Sequence, residues 1–430
     1  MRVAFVTYGC RLNKAEALDL EAKYAAAGWE IVSLKQRPDV CRDETPDLIV
    51  VRGCSVTAKA QRDCEKAIAQ LKMRFPTTEI RITGCLSAAM ENKGNSSAEN
   101  VLDAIGSEAP PSTATPFAEH YSLSRAYLKV QDGCSGECAF CIVPSFRGQP
   151  RSTPFTSAVE RAREFLAAGF REIVLTGCNL CLYRSEGRGI AELAAALASL
   201  ESPGHRIRFG SIEPGICDSR IIDAMESHPN ICRFLHLSLQ SGSDRVLRLM
   251  RRPYTALQVA EFCTEAVRRL GSRLSFGADV IAGFPGETAE DHEATRRFLS
   301  ETYAAPCASC GKASAPQRSP FIHIHVFPYS ERPGTEAAEM PFSVPTEIRR
   351  MRAKEIERIG AANRAAFAAS MVGKDVTVCI ERDGNGRTDE YLRCILSGTA
   401  PRRSLVSATV KTHSGRDGSI SASICPTETT

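Results

Sequence analysis

The sequence has little net charge, no long apolar run and no export signal. Its 54 Lys and Arg stand against 50 Asp and Glu, leaving +4 over 430 residues. That balance permits nucleic-acid binding without arguing for it. No apolar stretch approaches the roughly 18–20 residues that span a bilayer. The opening residues, MRVAFVTYGC, turn polar within a few positions and read as a strand instead of a signal peptide. A cytoplasmic protein that engages no membrane is therefore expected. Hydrophobic residues at 43% and charged residues at 24% suit a chain with several cores, and the length predicts about three domains.

What the sequence has in excess is cysteine, 18 in all. In a reducing compartment these do not read as disulfides, which leaves core fillers, metal ligands and reactive thiols. Position has to separate the three, because ligands sit where the backbone can bring several thiols together.

Three segments emerge. Residues 1–118 alternate strand-like runs (RVAFVTYGC, DLIVVRGC, EIRITGC) with helical stretches (NKAEALDLEAKYAAAG, AKAQRDCEKAIAQLKMRF). Such alternation predicts an α/β unit, a doubly wound parallel sheet with helices on both faces. A linker rich in Pro, Ser and Thr follows. Residues 121–365 repeat the alternation with AYLKVQ, EIVLTG, RIRFGSI, FLHLSLQ, LSFGADVIAG and FIHIHVF as strands. Six such units predict a partial TIM-like (β/α)6 barrel, with its chemistry at the C-terminal ends of the strands. An irregular stretch, 302–320, interrupts before the last strand. A final helix near 344–369 carries Arg349, Arg350, Arg352, Lys354, Arg358 and Arg364 against three glutamates. Residues 371–430 hold four short strand patterns (DVTVCIER, EYLRCILS, SLVSATVKT, GSISASI) and predict a small β-barrel.

Just past the first strand of the second segment lies VQDGCSGECAFCIVPSFRG, with Cys134, Cys138 and Cys141 spaced Cys-x-x-x-Cys-x-x-Cys. Three thiolates so spaced can hold three irons of a [4Fe–4S] cube and leave the fourth iron open. S-adenosylmethionine (SAM) can chelate that iron and be cleaved to a 5′-deoxyadenosyl radical. A zinc site would want a fourth Cys or His nearby, and a ferredoxin run would space its cysteines differently. Candidate SAM contacts stand at later strand ends: Thr176 and Gly177, Glu213, Gln240 and Gly283. Each is also compatible with plain turn chemistry.

Cys10, Cys54 and Cys85 each follow a Gly at the end of an apolar strand run. Ligand sites of open parallel sheets lie outside those ends, so the three can converge on an auxiliary [4Fe–4S] cluster; three coincidental core cysteines are the alternative. Cys41 and Cys64 do not share the pattern. Cys178, Cys181 and the Cys307–Cys310 pair have open roles, and Cys217, Cys232, Cys263, Cys379, Cys394 and Cys425 read as fillers. His236, His323 and His325 alternate along strands and face one side.

These residues resemble the radical SAM methylthiotransferase family over nearly the whole chain. The likeness runs from TYGCRLNKAEA through the Cys134 loop to LSLQSGSDRVLRLMRRPYT, DVIAGFPGET and HVFPYSERPGT. The MRRPYT and LQSGSD wording is most similar to the branch acting on threonylcarbamoyl-adenosine at position 37 of tRNA. The resemblance implies a TRAM domain, a small RNA-binding barrel, at 371–430. It implies that Cys134, Cys138 and Cys141 bind the radical-SAM cluster and Cys10, Cys54 and Cys85 the auxiliary one. One SAM would methylate a sulfur held on the auxiliary cluster; another would yield the radical that takes hydrogen from C2 of the adenine. The tRNA anticodon loop and an electron donor such as flavodoxin or ferredoxin are the implied partners, with the TRAM barrel and the basic helix holding the tRNA. The same chemistry on isopentenyladenosine or on a ribosomal-protein aspartate is the near alternative. A non-catalytic iron–sulfur or zinc protein that binds RNA is the distant one. The chain departs from the family at Arg52-Gly53, where Asn-Thr is usual, at Cys178 and Cys181, where other residues are expected, and in the long 302–320 stretch.

Overall fold

The computed structural model describes residues 1–34, 45–91, 124–202, 204–216, 219–301, 318–381 and 383–425. Cys41, Cys217, Cys307, Cys310 and most of the 302–320 stretch lie outside them.

The first unit runs β1 (Arg2–Thr7), α1 (Arg11–Ala26), β2 (Glu30–Val32), β3 (Leu48–Gly53), α2 (Ala58–Arg74), β4 (Glu79–Gly84) and α3 (Cys85–Glu91). Its sheet is parallel in the order β2-β1-β3-β4. Alternation decides which helix covers which face. Val3, Leu48 and Val50 pack on Leu20 and Tyr24 of α1. Ala4, Ile49 and Val51 point the other way, onto Cys64 and Ile68 of α2 and Leu86 of α3. Helices therefore cover both faces, as a parallel sheet requires. The three expected strands are present; the sequence reading omitted β2, whose three residues pair with β1 from Arg2↔Glu30 onward.

The second unit runs β5 (Ala126–Lys129), β6 (Gln131–Asp132), α4 (Val143–Arg147), β7 (Arg151–Ser152), α5 (Phe155–Ala167), β8 (Glu172–Thr176), α6 (Ile190–Ala198), β9 (Arg206–Arg208) and β10 (Ser211–Ile212). It continues α7 (Arg220–Ser227), β11 (Phe234–Gln240), α8 (Asp244–Leu249), α9 (Ala256–Leu270), β12 (Ser275–Ala282), α10 (Ala289–Ser300), β13 (Phe321–Pro328), α11 (Glu336–Glu339) and α12 (Thr346–Ala369). All six expected staves are there, parallel, as β5-β8-β9 and β10-β11-β12-β13. The third stave, RIRFGSI, is broken between β9 and β10. At Gly210 a Cβ would stand 2.6 Å from Leu175 O, so the chain passes too close to its neighbour for any side chain there.

Helix α1 belongs to two units at once. Leu20 and Tyr24 face its own sheet, while Ala15 and Leu18 join the barrel core beside Tyr127, Phe165 and Leu175. A helix apolar on both sides is a buried one, and this one packs along β5, the first stave.

The third unit is a closed barrel of β14 (Asp375–Ile380), β15 (Gly386–Thr388), β16 (Arg393–Ser397), β17 (Leu405–His413) and β18 (Ile420–Ile424). It has five strands where the sequence showed four, because β15 is a three-residue GRT piece with no apolar alternation. A buried ion triad docks it onto the larger barrel. Arg206 and Arg208 share Glu172 at 2.5 and 2.7 Å. Arg206 also donates to Thr377 O and Arg387 O, and Arg208 to Thr388 O and Asp389 O, at 2.7–3.0 Å. Among the described residues, no helix is long and apolar enough to cross a membrane.

Candidate functional site

The Cys134 loop is shaped by glycines. Gly133 has φ +69°, and a Cβ on it would lie 2.1 Å from Gln149 O; only Gly fits. Cys134 N–H then bonds Gly148 O, and Cys141 N–H bonds Cys138 O. At Gly136 a Cβ would lie 3.3 Å from Cys134 Sγ and 3.6 Å from Cys138 Sγ, so its absence opens a cradle between the two sulfurs. Burial, then the neighbouring Cys138 and Cys134 thiols, push Cys141 up to about 11. Cys138 and Cys134 thus stand near enough to Cys141 to act on it electrostatically, and three thiols grouped this way can hold iron.

Arg252 completes this site. Its Nη1 donates to Cys138 Sγ at 2.9 Å, its Nη2 meets Glu213 at 2.8 Å, and its Nε donates to Tyr254 Oη at 2.9 Å. Glu213 also accepts from Asn179 Nδ2. Glu213 is buried beside the cysteine loop through this chain of bonds. The other expected SAM contacts lie at strand ends with other neighbours. Thr176 O receives Val130 N–H. A Cβ on Gly177 would meet Gln131, at 2.9 Å. Gln240 ends β11 with φ +66°. A Cβ on Gly283 would meet Arg349 of α12, at 2.5 Å. The need for glycine at 177 and 283 thus comes from packing inside the chain.

Cys10, Cys54 and Cys85 also come together. Cys10 is the N-cap position of α1 and Cys85 opens α3, where helix dipoles favour an anionic group. Gly9, at φ +102°, has its Cα so close to Cys54 that a Cβ would lie 2.6 Å from Cys54 Cβ. Burial first, then the thiols of Cys10, Cys85 and Cys64, push Cys54 up to about 11. Cys64 is closer than its helix placement implied: its Sγ accepts Cys54 N–H at 3.4 Å.

An ion-pair network joins the two trios across the unit boundary. Glu16 of α1 binds Arg52, Lys129 at 2.6 Å and Arg147 at 2.9 Å. Asp132 binds the same Lys129 and Arg147 at 2.7 and 3.0 Å. Burial alone would raise the Glu16 carboxyl, but Arg147, Arg52 and Lys129 outweigh it and lower it to about 2. The field of Arg147 also reaches Cys85. From β13 onward, Arg332 donates to Ser55 and Gln61 at 3.2 and 2.9 Å, pinning the chain beside Cys54.

Several open residues now have roles in the framework. Cys178 directs its S–H to Asp132 at 3.5 Å, and burial pushes it up to about 12. Cys181 exchanges bonds with the Glu213 backbone. The basic helix is a correction: Arg349 and Arg352 are buried, bonded to Tyr329 O and Glu287, and Arg364 holds Asp417 O. Only Arg350, Lys354 and Arg358 remain exposed. His236 and His325 do share a partner, Asp279, at 3.0 and 3.3 Å. His236 Nδ1 is buried against Gly277 with no hydrogen-bond partner among the described residues. A metal-bound imidazole directs that second N–H to an acceptor, so the trio suits a hydrogen-bonded carboxylate better than an ion. Arg252, Arg147, Glu16 and Asp132 were missed by sequence reasoning; only the MRRPYT wording pointed toward Arg252.

Comparison with known proteins agrees with this layout. Residues 128–299 match the model of the Radical SAM superfamily, and residues 2–106 match that of the Uncharacterized protein family UPF0004. A Rickettsia prowazekii protein named threonylcarbamoyladenosine tRNA methylthiotransferase MtaB is 30% identical, covering 91% of this chain and 90% of its own. An Aquifex aeolicus protein of the same name is 29% identical over 91% and 96%. A Thermobifida fusca protein named tRNA-2-methylthio-N(6)-dimethylallyladenosine synthase is 31% identical over 93% and 81%. With relatives this similar along nearly their full length, the chain belongs to the radical SAM methylthiotransferases, and is a tRNA-modifying enzyme whose cofactors are SAM and [4Fe–4S] clusters.

Proposed function

We propose that this enzyme adds a methylthio group to C2 of N6-threonylcarbamoyladenosine at position 37 of tRNA. The observation that carries the reading is the pairing of two cysteine trios across the Glu16–Arg147–Asp132 network. In it, Cys134, Cys138 and Cys141 hold the cluster that binds SAM, and Cys10, Cys54 and Cys85 hold the auxiliary one. When bound, these groups supply a SAM-derived radical and a site for sulfur. The chain's own residues do the positioning. Arg252 donates to Cys138 and fixes Glu213; Thr176, Gly177, Glu213, Gln240 and Gly283 line the strand ends offered to SAM. Arg147 and Arg332 tie the two units together. The division is 1–118 for the auxiliary site, 121–365 for the radical barrel and 371–430 for a TRAM barrel that grips the anticodon loop. An electron donor such as flavodoxin or ferredoxin reduces the enzyme in the cytoplasm.

Relatives carry both the threonylcarbamoyl and the dimethylallyl names at similar identity, so the choice rests on the MRRPYT and LQSGSD wording. Mass spectrometry of tRNA nucleosides from a strain lacking this chain tests it. The methylthio form of threonylcarbamoyl-adenosine should disappear and its unmethylthiolated parent accumulate. Loss of the isopentenyl counterpart instead would reassign the substrate.

A further inference from the structure

The lumen of the larger barrel is filled at the strand-start end and open toward the other. Tyr391, from the loop between β15 and β16, packs across the filled end. Its ring stacks on Phe234 of β11 at 4.6 Å and meets His323 of β13 edge-on at 4.9 Å. Arg208 and Arg387 at 5.0 Å, with Arg11 and Arg125 at 5.7 Å, surround the phenol and complete the plug. Beyond it, alternation decides what the lumen offers. Ile324 packs outward, against Gly360 of α12, so His323, His325 and Phe327 face inward. The His325 side chain is 45% exposed and Phe327 is 41% exposed, which leaves open space between them and the mouth.

Strand register places His325 at the level of the Cys134 loop. Asp279 of β12 pairs with His325. On the other side of β12, Leu237 pairs with Ala278 and Gln240 with Val280, so Asp279 is level with Ser238 and Leu239. The carbonyls of those two residues accept Tyr254 Oη at 2.5 and 3.2 Å, and Ser238 O also accepts from Arg252 at 3.3 Å. Arg252 in turn donates to Cys138 Sγ. His325 therefore stands with the residues that serve the SAM site. Phe234, under the Tyr391 ring, is four to five positions back along β11, about 13–16 Å at the rise of a strand.

The His325 ring is held at one nitrogen and open at the other. Nδ1 donates to Asp279 Oδ1 at 3.3 Å, and the same oxygen meets Nε2 of the buried His236 at 3.0 Å. Nε2 of His325 has no hydrogen-bond partner among the described residues. Burial would raise Asp279, but His236 and His325 outweigh it and hold it below the usual carboxylate range, so it stays anionic. A second anion beside it would be repelled, and an apolar group would leave the imidazole unmatched. A hydroxyl fits, because it can donate to Nε2 or accept from it. Resting on the tRNA reading above, we propose that His325, oriented by Asp279, hydrogen-bonds the hydroxyl of the threonylcarbamoyl group and so selects that N6 substituent over an apolar one. The base enters at the open end, where a barrel's chemistry lies, and its substituent reaches down the lumen.

The test uses the cluster-loaded full chain and three anticodon stem–loop RNAs. They carry threonylcarbamoyl-adenosine, its valylcarbamoyl analogue, in which a methyl replaces the hydroxyl, or isopentenyladenosine. Native enzyme should methylthiolate the first with a kcat/KM about tenfold above the second. His325→Phe should bring that ratio near one by slowing the first RNA alone. His325→Gln, which keeps a polar tip, should retain most of it, with iron content and SAM affinity native in both variants. A native ratio near one, or a ratio that survives His325→Phe, would overturn the proposal. Equal slowing of both RNAs would make His325 a structural residue, and weakened SAM binding with the ratio intact would make it a SAM contact; each overturns the proposal as well. All of these failures leave the substrate reading standing. If native enzyme takes the isopentenyl RNA and ignores the other two, the substrate reading itself fails.

Discussion

At the scale of single residues, the positions that matter most are arginines bonded to sulfur or carboxylate from distant parts of the chain. Arg252 and Cys138 are 114 positions apart, and no local pattern announces that they meet. An N–H···S bond from a cation stabilises extra negative charge on a cluster and helps set its potential. A bond to a charged group contributes about 1.5–3 kcal/mol, of which only part differs between oxidation states. Arg252→Met should therefore lower the reduced fraction of the Cys134-loop cluster about tenfold at a fixed low potential. Spectroscopic redox titration in a variant lacking the Cys10 trio reads this directly. An unchanged midpoint would mean that Arg252 serves Glu213 alone.

At the scale of elements, much was legible. Strand–helix alternation exposed all six staves of the barrel, because fully buried parallel strands such as EIVLT are continuous apolar runs. The Gly-Cys pairs at strand ends were legible for the same reason. Short pieces were not: β2 and β15 exist through pairing with β1 and β14, and the break at Gly210 reflects crowding by Leu175 O. The cysteine loop depends on a backbone fact the sequence only hints at, the left-handed turn at Gly133. Gly133→Ala would force a Cβ into Gln149 O. Iron analysis should then show about four irons per chain instead of about eight for two cubes, the Cys10 trio keeping its share. Full iron content would show that the loop tolerates another turn.

At the scale of the whole molecule, three units are held by buried charge: Glu16 between the first two, Glu172 between the second and third. Tyr391 adds a pH term to the second junction. Its folded value near 7 lies below the ordinary value of 10, so its stabilisation is fully present above pH 10 and is lost as pH falls through 7. Thermal stability should rise between pH 7 and 10 in the native protein, relative to Tyr391→Phe. Parallel pH profiles for the two would mean the phenol keeps its proton. None of these junctions could be read from the chain, since each joins residues brought together only by the tertiary fold.

The central claim is that two trios divide the work, and Cys10→Ala tests it most directly. Reduced enzyme with SAM and tRNA should still form 5′-deoxyadenosine at close to the native rate, while methylthiolated nucleoside falls below detection by mass spectrometry. Methylthiolation at the native level in that variant, or loss of 5′-deoxyadenosine from a correctly folded protein, would contradict the account.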